Sequence, residues 1–300
     1  MRAPRPADPA RVTARWRWGR SGRGAWLRRR WLGLVGLGIT VITVASAAFA
    51  PWVAPYDPLA QDLAVALEPP GAQHWLGTDQ LGRDMLSRLI FGGQVSLATG
   101  LGSVAFGIAT GATLGLLAGY RGGSLDTLIM RGCDVLLAFP GFILAAAIVA
   151  VLGPGLGNLI LAIGIRAAPA FGRLARNLAL SLRERAYVEA ARAIGVPDPR
   201  ILGRHVAPNL LAPVLALATL RTGTGILTGA ALSFLGIGVA AETPDWGTML
   251  SLAQPYMRRY PHLVIFPGLA IVVAVLGLNL LADDVRDAWD PRLRGAGREA

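Results

Sequence analysis

Lysine is absent from this 300-residue chain, and all 29 of its basic residues are arginines. Without lysine the chain has neither the lysine of a phosphate-binding loop nor a Schiff-base lysine, so any ATP hydrolysis must take place in another subunit. The single cysteine, Cys133, excludes an intramolecular disulfide and a multi-cysteine metal site. The three histidines, His74, His205 and His262, are far apart and show no metalloprotease spacing. We therefore expect this chain to bind no metal and no cofactor.

Charged residues make up only 16% of the chain, whereas 53% of it is hydrophobic and the mean hydropathy is +0.50. Several apolar runs approach the length that an α-helix needs to cross a bilayer. The composition therefore predicts an all-α integral membrane protein. The net charge of +11 is compatible with nucleic-acid binding, but the arginines lie beside the apolar runs. We therefore expect contact with the lipid bilayer and none with nucleic acid.

The apolar runs predict six transmembrane helices. The expected organisation is an arginine-rich tail at 1–30, a first transmembrane helix at 31–53, an external segment at 54–93 with a short amphipathic helix at 85–91, a five-helix core at 94–285 and a second tail at 286–300. The core spans are expected at 94–120, 134–152, 156–174, 210–237 and 262–282. We expect Pro140 to kink the second of these, and Arg166 with Pro169 to interrupt the third.

The distribution of arginine predicts how these helices are oriented. Of the 29 arginines, 23 fall in the two tails and in the segments around 121–131 and 173–209, and 4 fall in the two segments on the opposite side. Because arginine-rich loops stay in the cytoplasm, both termini are expected there. The same rule places the polar segment 181–209 in the cytoplasm.

A series of small residues marks one face of the second span. Its members are four residues apart and are Ser103, Gly107, Gly111, Gly115 and Gly119. In lipid, a glycine face lets another helix approach closely, since the burial of apolar surface supplies little driving force there. The series therefore predicts a helix-packing seam.

The segment 181–209 is polar, unlike the apolar sequence around it. Ser181 stands three residues before a glutamate, which is a capping-box spacing, so a helix is predicted to begin there and to stop at Gly195. Asp198, which precedes a proline, is predicted to cap a second helix. On spacing alone, a solvated helix with ordinary ion pairs accounts for the segment equally well.

Within this segment, Glu189-Ala190-Ala191, Gly195 and Pro208 resemble the EAA loop of the permease subunits of binding-protein-dependent ABC importers. The sequence RHVAPN (204–209) is similar to the version found in peptide and nickel permeases. The resemblance covers residues 31–294 through four further motifs, which are HWLGTDQLGRDMLSRLIFGG (74–93), ALSFLGIG (231–238), PDWGTML (244–250) and NLLADDVRDAWDPRLR (279–294). Because these motifs are separate and widely spread, the resemblance is specific.

The resemblance implies the type I importer permease fold in the bacterial cytoplasmic membrane. It implies import of di- or oligopeptides by alternating access, with nickel or another small solute as the alternative. The implied partners are a homologous second permease in a heterodimer, two ATPase subunits that use ATP and magnesium, and an extracytoplasmic solute-binding protein. The residues implied in coupling to the ATPases are Glu189, Ala190, Ala191, Gly195, Arg204 and Pro208.

Two other function classes stay open from the residues alone. A channel or secondary transporter needs no ATPase-docking loop and often carries acidic residues inside the membrane. A membrane-embedded enzyme needs converging acids, bases or metal ligands, whereas the predicted spans offer two arginines and few acids. Co-purification of ATPase subunits distinguishes an importer from both alternatives.

Arg166 and Arg221 lie inside predicted spans, where a charged side chain is costly and is usually paired or exposed to water. One hypothesis is an interhelical contact that only holds the helices together. The other is that one or both line the translocation path, attracting a carboxylate and repelling free cations. Arg221 is the stronger candidate, because Gly225, Gly229 and Ser233 continue its helical face and leave room for a solute.

Overall fold

A computed structural model describes the backbone of residues 22–289 and the side chains of residues 31–284. Apart from an isolated bridge between Thr78 and Asp84, the described chain consists of helices, turns and loops. Its α-helices are α1 (Gly22–Ala48), α2 (Ala50–Val53), α3 (Met85–Gly107), α4 (Thr113–Arg121), α5 (Gly123–Ala138), α6 (Gly141–Leu152), α7 (Leu156–Arg183), α8 (Ala186–Ala193), α9 (Asp198–Ile201), α10 (Ala207–Phe234), α11 (Trp246–Ala253) and α12 (His262–Trp289). Between them lie the 3₁₀ helices Leu63–Val65 and Gln254–Tyr256 and the π-helical segments Ile108–Ala112 and Leu202–Val206.

Several helices of the described chain are long and apolar enough to cross a membrane. The five continuous ones are Trp31–Ala48, Met85–Arg121, Leu156–Arg183, Asp198–Phe234 and His262–Asp284. The pair formed by α5 and α6 also qualifies, although its two helices meet at 91°. With this pair counted as one broken span the total is six, as predicted from the sequence.

The break between α5 and α6 is sharper than the kink expected at Pro140. Phe139 has an extended backbone, with φ −89° and ψ 140°, and Pro140 is the N-cap residue of α6. Proline lacks the N–H of a helical hydrogen bond and disfavours helical backbone in the residue before it, so α5 ends here. α5 and α6 are therefore two short helices that meet at a sharp angle.

The first helix is longer at its start and less regular at its end than predicted for 31–53. α1 begins at Gly22, so the arginines at 28–30 belong to the helix and not to the tail, contrary to the expected boundary. Arginine is a good helix former, which lets the helix extend beyond the apolar run. A turn at Phe49 then separates α1 from α2. The remainder of the predicted tails, residues 1–21 and 290–300, lies outside the described residues.

α1 and α12 pack against each other in antiparallel directions. Gly33 lies beside Asp284, and Gly277 lies beside Ile39. The amino end of α1 and the carboxyl end of α12 therefore lie at the same end of the bundle. This agrees with the prediction that both termini lie on one side of the membrane.

The external segment leads directly into α3. Oδ2 of Asp84 accepts a hydrogen bond from the backbone N–H of Ser87 at 2.7 Å, which caps the helix at Met85. The amphipathic helix predicted separately for 85–91 therefore forms the first two turns of α3. The two predicted elements are one helix because no residue between them breaks it.

α7 is continuous over its 28 residues, although an interruption was predicted at Arg166 and Pro169. Pro169 is buried, and a single missing hydrogen bond is tolerated where neighbouring helices cover the backbone. α7 also continues past Ser181, whose hydroxyl donates to the carbonyl oxygen of Leu178. The predicted cap at Ser181 was therefore wrong, since its hydroxyl bonds within the preceding turn. α7 contacts α3, α4, α5, α6 and α10 and forms the centre of the bundle.

Candidate coupling surface and interhelical cavity

The four glycines of the small-residue series lie where the second span meets α7. A Cβ atom at Gly111 would overlap the backbone of Ala168, and one at Gly115 would overlap the carbonyl oxygen of Gly172. Gly119 approaches the backbone of α7 in the same way. The absence of side chains at these positions allows the two helix backbones to touch.

The first two members of the series, Ser103 and Gly107, contact different helices from each other. Gly107 faces Phe171 on α7, whereas Ser103 lies against Gly225 on α10. On a straight α-helix, positions four apart rotate by about 40° per step, so the whole series cannot face one neighbour. The π-helical segment after Gly107 widens one turn and counteracts this rotation. The three later glycines therefore stay on α7.

α8, the first helix of the segment 181–209 that follows α7, lies with one face on the bundle. Val188 and Ala191 are 0% and 7% exposed, and they pack in an apolar cluster with residues such as Val206. Glu189 and Ala190 are exposed on the other face. Ala191 therefore contributes packing within its own chain, whereas Glu189 and Ala190 are accessible to a partner.

A polar network joins this segment to the end of α4. The hydroxyl of Tyr120 donates to Oδ1 of Asp198 at 2.6 Å, and the guanidinium of Arg192 lies 5.0 Å from the centroid of the Tyr120 ring. Asp198 is the first residue of α9, and the N-cap residue is Pro197 without a side-chain hydrogen bond. The capping role predicted for Asp198 was therefore wrong, because its carboxylate binds a distant tyrosine instead.

We give the name coupling surface to seven of the exposed residues of the segment, which are Tyr187, Glu189, Ala190, Ile194, Gly195, Arg204 and Pro208. Gly195 has φ +79° and ends the turn after α8, in line with the predicted stop. Ile194 is 81% exposed and Tyr187 is 44% exposed. Neither residue belongs to the set that the family resemblance implies in coupling. The available signal was a pair of large apolar side chains in a segment predicted to be cytoplasmic.

A cavity of about 240 Å³ lies beside the break between α5 and α6. Arg166 of α7 and Arg221 of α10 both line it, as do Gly141 and Gly225. Phe139, at the break itself, forms part of the wall. The tertiary structure thus brings together two arginines that lie in separate spans of the sequence.

Within the described residues 31–284, neither cavity arginine forms a salt bridge with a carboxylate. Nη1 of Arg166 donates to Oγ1 of Thr228 at 3.2 Å. Nε of Arg221 is buried and has no hydrogen-bond partner. Thr228 was not identified from the sequence, where a single threonine in an apolar helix carries no distinctive signal. The cavity therefore carries positive charge without a neutralising group from the described chain.

Two of the three positions expected to extend this space do not line it. Gly229 packs against Thr99 of α3, and Ser233 is buried beside Gly238. The four-residue spacing rotates successive positions around α10 by about 40° per step, so the later positions turn away from the cavity. Only Gly225 of the three contributes to the cavity.

Residues 111–295 match the family described as binding-protein-dependent transport system inner membrane component. This match covers more than half of the chain. The chain belongs to this permease family. Residues 22–70 of the permease also match the N-terminal transmembrane domain of oligopeptide transport permease C. The family resemblance inferred from the motifs is thereby confirmed.

The permease is similar along most of its length to named relatives. It is 45% identical over 269 residues to the glutathione transport system permease protein GsiD of Escherichia coli O6:K15:H31, covering 89% of each chain. It is 44% identical over 268 residues to the dipeptide transport system permease protein DppC of Alkalihalophilus pseudofirmus, covering 89% of this chain and 88% of that one.

A solved structure supports the fold of the permease. An inward-facing crystal form of the MetNI methionine ABC transporter has a TM-score of 0.55 and 22% identity, covering 69% of this chain and 98% of that chain. At this identity the similarity establishes the fold alone. With the family match, it confirms the predicted all-α importer permease fold. The permease is therefore a multi-pass subunit of an ABC importer in the bacterial cytoplasmic membrane.

Proposed function

We propose that this permease imports di- and oligopeptides. The names of its relatives, which specify glutathione and dipeptide transport, support a peptide solute. The positive charge around Arg166 and Arg221 supports a solute with a carboxylate over a bare metal cation such as nickel, because like charges repel.

In the proposed assembly this chain pairs with a second, homologous permease to form a heterodimer. Two ATPase subunits bind ATP and magnesium on the cytoplasmic side, and an external binding protein delivers the solute. Closure of the ATPase dimer moves the coupling surface and shifts the helices between inward-open and outward-open arrangements. Nucleotide shifts this equilibrium only through its different affinity for the two ATPase arrangements.

The observation that carries the coupling role is the two-sided arrangement of α8. Its inner face, with Val188 and Ala191, is buried in the same apolar cluster as parts of α7 and α10. Its outer face carries Ala190, and the exposed Ile194 follows directly after the helix. A force applied to the outer face is therefore transmitted to two spans through a packed interior.

Ala190→Trp and Ile194→Asp are expected to leave the permease folded and to remove the ATPase subunits from it. Both residues are exposed, so the changes disturb no packing within the chain. At an interface centre, such changes cost about 2 kcal/mol or more, which corresponds to a loss of affinity of about 30-fold or more. The measurement is co-purification of the ATPase subunits with each variant, together with its membrane content and melting temperature.

The matched control is Ala241→Trp, which changes an exposed alanine in the external loop and should retain the ATPases. Full ATPase retention by both Ala190→Trp and Ile194→Asp would show that the coupling surface lies elsewhere. The solute is tested by uptake of radiolabelled dialanine into proteoliposomes that contain the complete complex and its binding protein. Absence of ATP-dependent uptake would contradict peptide import.

A further inference from the structure

The two cavity arginines lie well inside the membrane. Arg166 is ten residues after the start of α7, and Arg221 is thirteen residues before the end of α10. At about 1.5 Å per residue, these positions are about 15 and 20 Å from the external helix ends. The hydrocarbon core is about 30 Å thick, so helices that enter it at these ends place the backbone of both arginines near its middle.

Two arginines at this depth need an anion or water near them. Each charge is costly to place inside the membrane, and their mutual repulsion adds to the cost. The two carboxylates of α5 are paired with other arginines, Asp126 with Arg176 and Asp134 with Arg173. The buried Nε of Arg221 is a donor without an acceptor, which is unusual for a polar group removed from solvent.

The surroundings hold Arg166 in place beside an open space. The hydroxyl of Thr228 donates to the carbonyl oxygen of Thr224 at 2.7 Å, so its lone pair is free to accept from Arg166. A Cβ at Gly141 would lie 2.5 Å from Nε of Arg166, so the glycine after the α5–α6 break makes room for the guanidinium. The pair is therefore positioned with donors left over for a ligand.

We propose that Arg166 and Arg221 bind the terminal carboxylate of the solute as it crosses the membrane. This inference rests on the proposed peptide import and specifies the chemical group that the pathway recognises. A guanidinium presents a planar set of N–H donors that matches the two oxygens of a carboxylate. Solutes with a free carboxyl terminus satisfy the unpaired donors, whereas amidated peptides leave them unsatisfied and bring an unbalanced positive charge into the cavity.

The test measures the melting temperature of the purified complex of both permeases and both ATPases, without the binding protein. Dialanine and dialanine amide are titrated separately. A ligand at ten times its dissociation constant stabilises by about 1.4 kcal/mol, which corresponds to a rise of about 3 °C. We expect this rise with the acid and not with the amide. Arg166→Gln and Arg221→Gln should remove the difference, and Arg221→Lys should retain part of it.

The matched control is Arg131→Gln, which changes an exposed arginine of α5 away from the cavity and should keep the full difference. Equal shifts with acid and amide in the unchanged complex overturn the inference. A full acid-specific shift in both glutamine variants overturns it as well. Because this measurement needs no transport, an acid-specific shift in a complex that fails to import dialanine supports the site and contradicts only the proposed peptide import.

Discussion

Replacing Gly115 by leucine is expected to prevent α4 from packing on α7. A side chain at Gly115 would overlap the carbonyl oxygen of Gly172, which is backbone and cannot rotate away. Overpacked cores usually lose about 1–3 kcal/mol. We expect a loss at or above this range, because relief requires separating two membrane helices. Gly111→Leu should behave similarly, since its neighbour is the backbone of Ala168.

The measurement is the melting temperature and the size-exclusion profile of the detergent-purified protein. Gly38→Leu is the matched control, because Gly38 also lies on a membrane helix but has no atom within 4 Å of its would-be Cβ. The control should match the unchanged protein. Equal behaviour of Gly38→Leu and Gly115→Leu would mean that the glycine seam carries no packing role.

Asp79→Ala is expected to unfold the external segment and to detach it from the start of α3. Oδ2 of Asp79 accepts a hydrogen bond from Nε of Arg83 at 2.6 Å and lies 3.5 Å from Nε of Arg88. The side chains of these arginines are only 3% and 1% exposed. Removing the carboxylate leaves two buried cations close together, and breaking such a buried pair costs about 3–5 kcal/mol.

The loss is measured as a lower melting temperature and as faster proteolysis between residues 54 and 84. Asp134→Ala provides the comparison, because its salt bridge with Arg173 is at 2.7 Å but both side chains are about half exposed. An exposed pair contributes about 0–1 kcal/mol, so this variant should be nearly as stable as the unchanged protein. Similar losses in the two variants would show that burial of the Asp79 cluster is unimportant.

Much of the architecture follows from local sequence signals. The number of spans, the orientation and the family motifs depend on composition and on short contiguous patterns, which are readable without tertiary contacts. Gly195 was identified as a helix stop because glycine alone adopts its backbone conformation easily. Gly111 and Gly115 were identified because small residues at helical spacing in a membrane span are typical of close helix–helix contact.

Local signals failed where a distant partner decided the outcome. Asp198 has the sequence context of a helix cap, but its carboxylate binds Tyr120. Pro169 has the appearance of a break, but its burial among neighbouring helices keeps α7 continuous. The spacing around Ala191 does not show which side of α8 is covered, because that depends on how α7 and α10 converge.

The sequence by itself determined that this protein is a six-span permease and predicted a polar coupling segment in the cytoplasm, since apolar length, arginine distribution and motif order are properties of the chain. Only the tertiary structure decided that Arg166 and Arg221 share one cavity and that Ala191 is buried while Ala190 is exposed. The physical reason is that the burial of a methyl group and the surroundings of a charge depend on the atoms packed around them. For these residues, those atoms come from helices far away in the sequence.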